Sequence, residues 1–381
     1  MKIGIDARFL THPQRGGFKT YTENLIASLS EIDHENNYIL YVDREPNETT
    51  KLPTQPNFTY KVIPGTRKNL GMLYREQFVL PIECRKDKID VLHSPCLTAP
   101  LALKQPSVVT IHDMIWYYPN RYSPSKVLFS ERSLINWYYK VFAYFSAKKA
   151  KYIITISNAS KQAIVSHLKL INEKIFITLE APSSNYRYID NKSLIKSALK
   201  KYDLPEKFIF GLGSADPRKN IEFLINAFVL IPDNDLHLVI VWNHYSLTTQ
   251  LKVLIQNLNL QRQVHFLSEI SDQDLLYLYN AAEVFVFPSL EEGFGLPPLE
   301  AMACGTPVIA ANNSSIPEIV GDAALLFNAR NPSELKDLIL RVTENESLRK
   351  ELRLKGLQKV KHYSWDKCAS QTLDILYKAA S

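Results

Sequence analysis

Residues 288–309 read PSLEEGFGLPPLEAMACGTPVI. Two glutamates, Glu292 and Glu300, flank a Gly293-Phe294-Gly295-Leu296 turn and a Pro297-Pro298 pair. Glycines let a turn take positive φ and let a ligand approach the backbone closely. Prolines suit the first turn of a helix, where their missing N–H groups would be unpaired anyway. The spacing predicts a short helix over 299–304, stopped by Gly305 in the left-handed conformation. Glu292 then lies in the loop before the helix N-terminus, and Glu300 about one turn inside it. Free N–H donors and the positive end of the helix dipole favour a phosphate at such a terminus. Carboxylates instead accept hydrogen bonds from hydroxyls. The combination suits a ligand that carries both phosphate and sugar hydroxyls.

On either side, apolar β-rich runs alternate with helical periodicity. Strands are expected at 2–7, 38–42, 58–63, 90–94, 107–112, 152–157 and 175–180, then at 208–213, 236–241, 264–267, 284–288, 307–311 and 324–327. Such alternation predicts an α/β protein with two doubly wound parallel sheets. The polar, turn-rich stretch at 181–194 is the expected boundary, giving domains at 1–185 and 186–364. Residues 365–380 read as a helix.

A chain of 381 residues is long for a single core, and 46% hydrophobic with 22% charged residues is a globular composition. Cys84, Cys96, Cys304 and Cys368 are scattered without a C-x-x-C pair, which excludes a zinc or disulfide framework and suits a reducing compartment. The opening MKIGIDARFL lacks a secretory signal pattern, and there is no apolar run long enough for a membrane span, so a cytoplasmic location is expected. Charge is uneven. Residues 1–185 hold 24 Lys+Arg against 16 Asp+Glu, so the first half is suited to meet something anionic.

Ligands of open parallel sheets bind beyond the carboxyl ends of the strands. Gly16-Gly17, His93-Ser94, His112-Asp113, Ser157-Asn158 and residues 214–220 all stand at such ends. In GSADPRKN (213–220), Arg218 and Lys219 are apt for a diphosphate, since cations at a helix start are disfavoured without an anion. His112 ends a buried strand, so a core role and a ligand contact are both open. The histidines show neither H-x-x-x-H nor H-E-x-x-H spacing, so no metal site is expected. The Asp233–Asp235 and Asp272–Asp274 triplets read as a turn and a helix cap. GLGSAD departs from G-x-G-x-x-G, against a nicotinamide-dependent oxidoreductase, and no nucleic-acid motif accompanies the bases.

Residues 288–328 strongly resemble the signature region of retaining glycosyltransferases of family 4, which have the two-Rossmann GT-B fold. GSADPRKNIEFLINAF (213–228), VVTIHD (108–113), DVLHSP (90–95), YIITISNASKQAI (152–164) and RGGFKTYTENL (15–25) resemble the family's other blocks in the same order. The resemblance implies that Glu300 holds the nucleotide ribose and that Glu292 lies by the donor sugar and diphosphate. It places Phe294, Gly295 and Leu296 N–H groups on the sugar and phosphates, Lys219 on phosphate and His112 near the transferred sugar. Gly16 and Gly17 match the loop closing over the diphosphate, while His93 and Ser157 are candidates on the acceptor side. Two departures stand out: Ser214 replaces a second phosphate-binding arginine, for which Arg218 can compensate, and Lys19 replaces a third glycine. The family's final helix, here 365–381, crosses back to the first domain.

Implied function is transfer of a hexose from a nucleotide sugar to a glycan or lipid-linked acceptor in surface polysaccharide synthesis, with retention and without metal or cofactor. GDP-mannose is the favoured donor, with UDP-glucose, UDP-N-acetylglucosamine and a catalytically idle sugar-nucleotide-binding subunit as alternatives. Residues 115–153 add 12 aromatics and 7 Lys+Arg against Glu131 alone, a pattern that fits either an anionic membrane surface, at the inner face of the cell membrane, or a core helix.

Overall fold

A computed structural model describes residues 1–13, 16–65, 71–118, 131–242 and 247–381, the side chains of 131–136 excepted. The chain divides into two compact units, Met1–Glu180 with Ser364–Ser381, and Ala181–Tyr363.

In the first unit, β1 (Lys2–Ile5), β2 (Asn37–Val42), β3 (Phe58–Val62), β4 (Val91–Ser94), β5 (Ser107–Thr110), β6 (Tyr152–Thr155) and β7 (Ile175–Ile177) form one parallel sheet. Its order is β3-β2-β1-β4-β5-β6-β7. The second unit holds β8 (Phe208–Gly213), β9 (His237–Trp242), β10 (Val264–Leu267), β11 (Val284–Phe287), β12 (Val308–Ala311) and β13 (Ala324–Phe327), ordered β10-β9-β8-β11-β12-β13. Every expected strand is present. Four of them, β1, β5, β6 and β7, end two or three residues early, because their last residues leave the ladder for the loops beyond. The departure is gradual, since Asp6 N–H still reaches His93 O at 2.9 Å and Ile111 N–H reaches Ile154 O at 2.8 Å.

In both parallel sheets the strand order reverses once, between β1 and β4 in the first unit and between β8 and β11 in the second. Doubly wound sheets open their binding crevice at this reversal, where neighbouring connections leave towards opposite faces. Covered on both faces, the strands are almost wholly apolar, and Ile209, Val239, Ile240, Phe285, Val286 and Ile309 are fully buried.

Helix Trp365–Ala380 belongs to the first unit. Ser364 caps it by accepting from the Asp366 and Lys367 N–H groups, and Trp365 meets the Tyr21 ring edge-on at 5.9 Å. Cys368, Leu376 and Ala379 on its inner face are fully buried. All four cysteines are buried and unpaired.

Sequence reading gave no sign of the charged cluster inside the first unit. Asp6, just past β1, accepts from Arg8 and from Arg75 Nη1 at 2.8 Å. Arg75 also donates from Nε to Ile63 O and from Nη2 to Tyr41 O, each at 2.9 Å, and is 1% exposed. Glu76 pairs with Arg8 and accepts from Thr98 Oγ1 at 2.7 Å. Arg75 and Glu76 sit on a π-helical stretch, Arg75–Val79, whose wider turn sends consecutive side chains inward.

Helix Glu131–Lys149 divides the aromatic-basic segment. It buries Tyr138, Ala143, Ser146 and Ala147, and leaves Trp137 60% and Phe145 49% exposed. Lys149 is bound by its ammonium group to Leu101 O and Leu103 O, while Lys148 lies over the Tyr144 ring. Residues 119–130, including Leu128, lie outside the described residues, as do the side chains of Leu134 and Ile135. Among the described residues no helix is long and apolar enough to cross a membrane.

Candidate active site

In the second unit a cluster of charged residues, Asp216, Arg218, Lys219 and Glu292, lies beyond the carboxyl ends of β8 and β11, the two strands flanking the reversal. Beyond β8, Asp216 caps a short 3₁₀ turn, Pro217–Lys219, by accepting from Arg218 N–H at 3.0 Å. Asn220 ends the turn at φ 56°, a left-handed conformation that asparagine tolerates, and its amide donates to Pro288 O at 3.1 Å. Leu290 N–H reaches back to Arg218 O at 2.8 Å. The two loops are thereby stitched together.

Glu292 lies between the cations that this stitching presents. Lys219 Nζ donates to its Oε1 at 2.6 Å, and Arg218 Nη1 meets Oε2 at 2.8 Å. Ser289 adds a hydroxyl donor to Oε1. Burial pushes this carboxyl up, but the Lys219 and Arg218 charges and the Lys219 and Ser289 hydrogen bonds outweigh it, so Glu292 is held below the ordinary glutamate range. Arg218 Nη1 also donates to Glu291 O at 2.6 Å. Ser214, in the same loop, accepts from Asp216 N–H at 3.3 Å.

After β12, the run Asn312-Asn313-Ser314-Ser315 fixes the backbone around Glu292. Ser314 Oγ accepts from Glu292 N–H at 2.9 Å, and Ser315 Oγ donates to Glu292 O at 2.9 Å and Phe294 O at 2.6 Å. Sequence reasoning missed Ser289, Ser314 and Ser315. Their signal was available, since each stands just past the end of a strand in the same sheet.

The helix here is Leu296–Ala303, not 299–304, because Pro297 and Pro298 fall inside its first turn rather than before it. Gly295 precedes it at φ 131°, a conformation closed to other residues, and no side chain caps this end. Gly305 stops the helix at φ 74° as expected. Glu300, one turn in, accepts from the fully buried Tyr279 hydroxyl at 3.1 Å. Burial pushes its pKa up to about 7; the Tyr279 bond opposes this and the Asp272 charge adds to it. Glu292 and Glu300 thus differ by environment: one is clamped ionised between two cations, the other has none.

The remaining sequence candidates belong to the first unit. Gly16 and Gly17 open helix Gly17–Ile32, and Lys19 Nζ donates to His12 O at 2.9 Å. His112 is 6% exposed, with Nε2 2.9 Å from Pro95 O, Nδ1 3.3 Å from Glu180, and the Tyr21 ring edge-on at 4.6 Å. His93 is fully buried on Thr110 Oγ1 at 2.9 Å, and burial, with the His112 charge, pushes its pKa down to about 3. Ser157 caps helix Asn158–Leu168, accepting from Ser160 N–H at 3.0 Å.

Both aspartate triplets are tied into the structure. Asp233 accepts from Lys207 and from Asp235 N–H, and Asp274 accepts from Lys201 and Tyr202. Among the described residues no group of three His, Cys, Asp or Glu side chains is placed to hold a metal.

Two Rossmann-like units of this topology are the GT-B architecture, and the chain belongs to the glycosyltransferases. Residues 195–359 match the family described as glycosyl transferases group 1, and residues 15–178 match glycosyltransferase family 4. O-antigen chain mannosyltransferase B of Escherichia coli is 32% identical over 289 residues, 74% of this chain and 73% of that protein. The serotype-specific mannosyltransferase WbdA of Escherichia coli is 31% identical over 239 residues, 60% of this chain but 29% of that longer protein. Among solved structures, sucrose-phosphate synthase from Thermosynechococcus elongatus superposes with a TM-score of 0.78 at 20% identity, covering 100% of both chains.

Proposed function

We propose that the chain transfers a hexose, with mannose favoured, from a nucleoside-diphosphate sugar to a glycan or lipid-linked acceptor in surface polysaccharide synthesis, and that the anomeric configuration is retained. The observation that carries the reading is the Arg218–Glu292–Lys219 cluster beside an uncapped helix N-terminus at the sheet reversal. Arg218 and Lys219, with the N–H groups of Phe294, Gly295 and Leu296, meet the charge that develops on the departing diphosphate. Glu300 takes the ribose hydroxyls. His112 is assigned to the transferred sugar. Mannose is favoured by the similarity to O-antigen chain mannosyltransferase B; UDP-glucose and UDP-N-acetylglucosamine are the competing donors.

A donor panel tests this. GDP-mannose, UDP-glucose and UDP-N-acetylglucosamine are each incubated with the purified protein, and release of the diphosphate and the anomeric configuration of the product are followed by NMR. Release from GDP-mannose above the others is expected, with retention and with turnover undiminished by EDTA. Turnover abolished by EDTA and restored by Mg²⁺ or Mn²⁺ contradicts metal independence.

Glu300 makes donor affinity pH-dependent. Its ionised form is the better acceptor of ribose hydroxyls, and in the free protein that form is lost as pH falls through about 7. Nucleoside-diphosphate affinity is expected to weaken below that pH in the native protein. In Glu300→Gln it should be weaker at pH 8, close to the wild type at pH 6, and carry only the shallower dependence that comes from the diphosphate's own ionisation. Titration calorimetry between pH 6 and pH 8 reads the difference, and identical profiles contradict the assignment.

The exposed Trp137 and Phe145, with Lys148 and Lys151 close by in sequence, support reversible association with anionic lipid. Co-sedimentation with anionic liposomes is expected to fall in high salt and in Trp137→Ser/Phe145→Ser, while neutral liposomes bind little. Lys149 is left unchanged, because its ammonium group holds Leu101 O and Leu103 O. Negligible binding in every condition argues for a soluble acceptor.

A further inference from the structure

We propose that Glu292 is the resident counter-anion of the phosphate subsite, and that its charge sets how readily a nucleoside diphosphate leaves after transfer. The proposal rests on the nucleotide-sugar reading and concerns what that site does between turnovers.

Both carboxylate oxygens of Glu292 are committed to cations, Oε1 to Lys219 and Oε2 to Arg218. The three side chains are 14%, 22% and 15% exposed for Glu292, Lys219 and Arg218, so little water screens the charges from one another. The residue is also held in place. Ser289 grips the carboxylate, while Ser314 and Ser315 bind the backbone N–H and C=O of Glu292. The carboxylate therefore stays beside any anion that reaches the two cations, and competes with it for the same N–H donors.

Competition of this kind separates an intact nucleotide sugar from a bare nucleoside diphosphate. A sugar brings hydroxyl donors, which give the carboxylate new partners when phosphate oxygens take over Lys219 and Arg218. Once the sugar has been transferred, those donors are gone. Glu292 then returns to the cations, and like charge weakens the hold on the diphosphate. A carboxylate whose only task is to bind sugar hydroxyls has no such effect on a ligand without sugar.

The test is calorimetric titration of GDP and UDP, in metal-free buffer, into the wild type and two neutral variants, Glu292→Gln and Glu292→Met. Two variants guard against a failure to fold, which circular dichroism checks. Both are expected to bind the diphosphates at least about tenfold more tightly than the wild type, a change of about 1.4 kcal/mol. Their affinity for guanosine and uridine should be unchanged. Product inhibition by the diphosphate should deepen in parallel. Equal diphosphate dissociation constants in the wild type and both variants overturn the proposal and leave the transferase reading standing. A wild type that binds neither GDP nor UDP overturns both.

Discussion

Lys219→Ala is expected to lower kcat by about two orders of magnitude or more, the usual effect of removing one preorganised donor from a developing oxyanion. In breaking a sugar–phosphate bond, negative charge grows on the departing diphosphate, and the proposed function assigns Lys219 to meet it. Its ammonium group is fixed by Glu292 at 2.6 Å and backed by the Phe287 ring, with the nitrogen 5.3 Å from the ring centroid. Little reorganisation is then needed as the bond breaks. Glu292→Ala should reduce turnover on a similar scale for a different reason: it releases both cations from their fixed positions and removes a partner for the donor sugar. Arg218 keeps its bond to Glu291 O, so some phosphate affinity should survive in Lys219→Ala. Initial rates at saturating donor, on variants shown to be folded, check both. Turnover near that of the wild type in both would falsify the site assignment.

The second large effect lies in the first unit. Arg75→Met should destabilise that unit by about 3–5 kcal/mol, the range found when one member of a buried ion pair is removed. Methionine keeps much of the volume but takes the Arg75 donor from three acceptors, Asp6 Oδ1, Ile63 O and Tyr41 O, leaving Asp6 only its Arg8 partner. Burial pushes the Asp6 carboxyl up, yet Arg75 and Arg8 together outweigh it and hold the group below the ordinary aspartate range. The sign of the pH dependence follows from that depression. The network's contribution is fully present above about pH 4, the unfolded value, and is lost as pH falls through the lower folded value. Urea unfolding of the wild type and variant at pH 7, followed by near-ultraviolet circular dichroism, reads the difference. A change below about 1 kcal/mol would show that the cluster contributes little to stability.

Much of this architecture was legible in the sequence because its signals are local. Strands buried on both faces must be continuous apolar runs, and every run read as a strand became one. Pro297, Pro298 and Gly305 bracket their helix through φ restrictions that need no tertiary partner, although the helix start still moved forward to Leu296. Glu292 and Glu300 were legible as a pair because the turn between them is built from residues with special backbone demands.

Local signals along the chain suffice for the two sets of strands, the loops at their carboxyl ends and the chemical types of residue in those loops. Tertiary structure alone decided which loops meet. Residues 73 apart, Lys219 and Glu292, become hydrogen-bonded because β8 and β11 are adjacent strands of one sheet, and adjacency is not encoded in either loop. It likewise decided that the two glutamates have opposite electrostatics, since a carboxyl's pKa depends on what burial puts beside it: Lys219 and Arg218 for Glu292, the Tyr279 hydroxyl for Glu300. The Asp6–Arg8–Arg75–Glu76 cluster shows the same limit. Read along the chain, its members are ordinary surface charges; they are buried only because the fold brings complementary charges together where water is excluded.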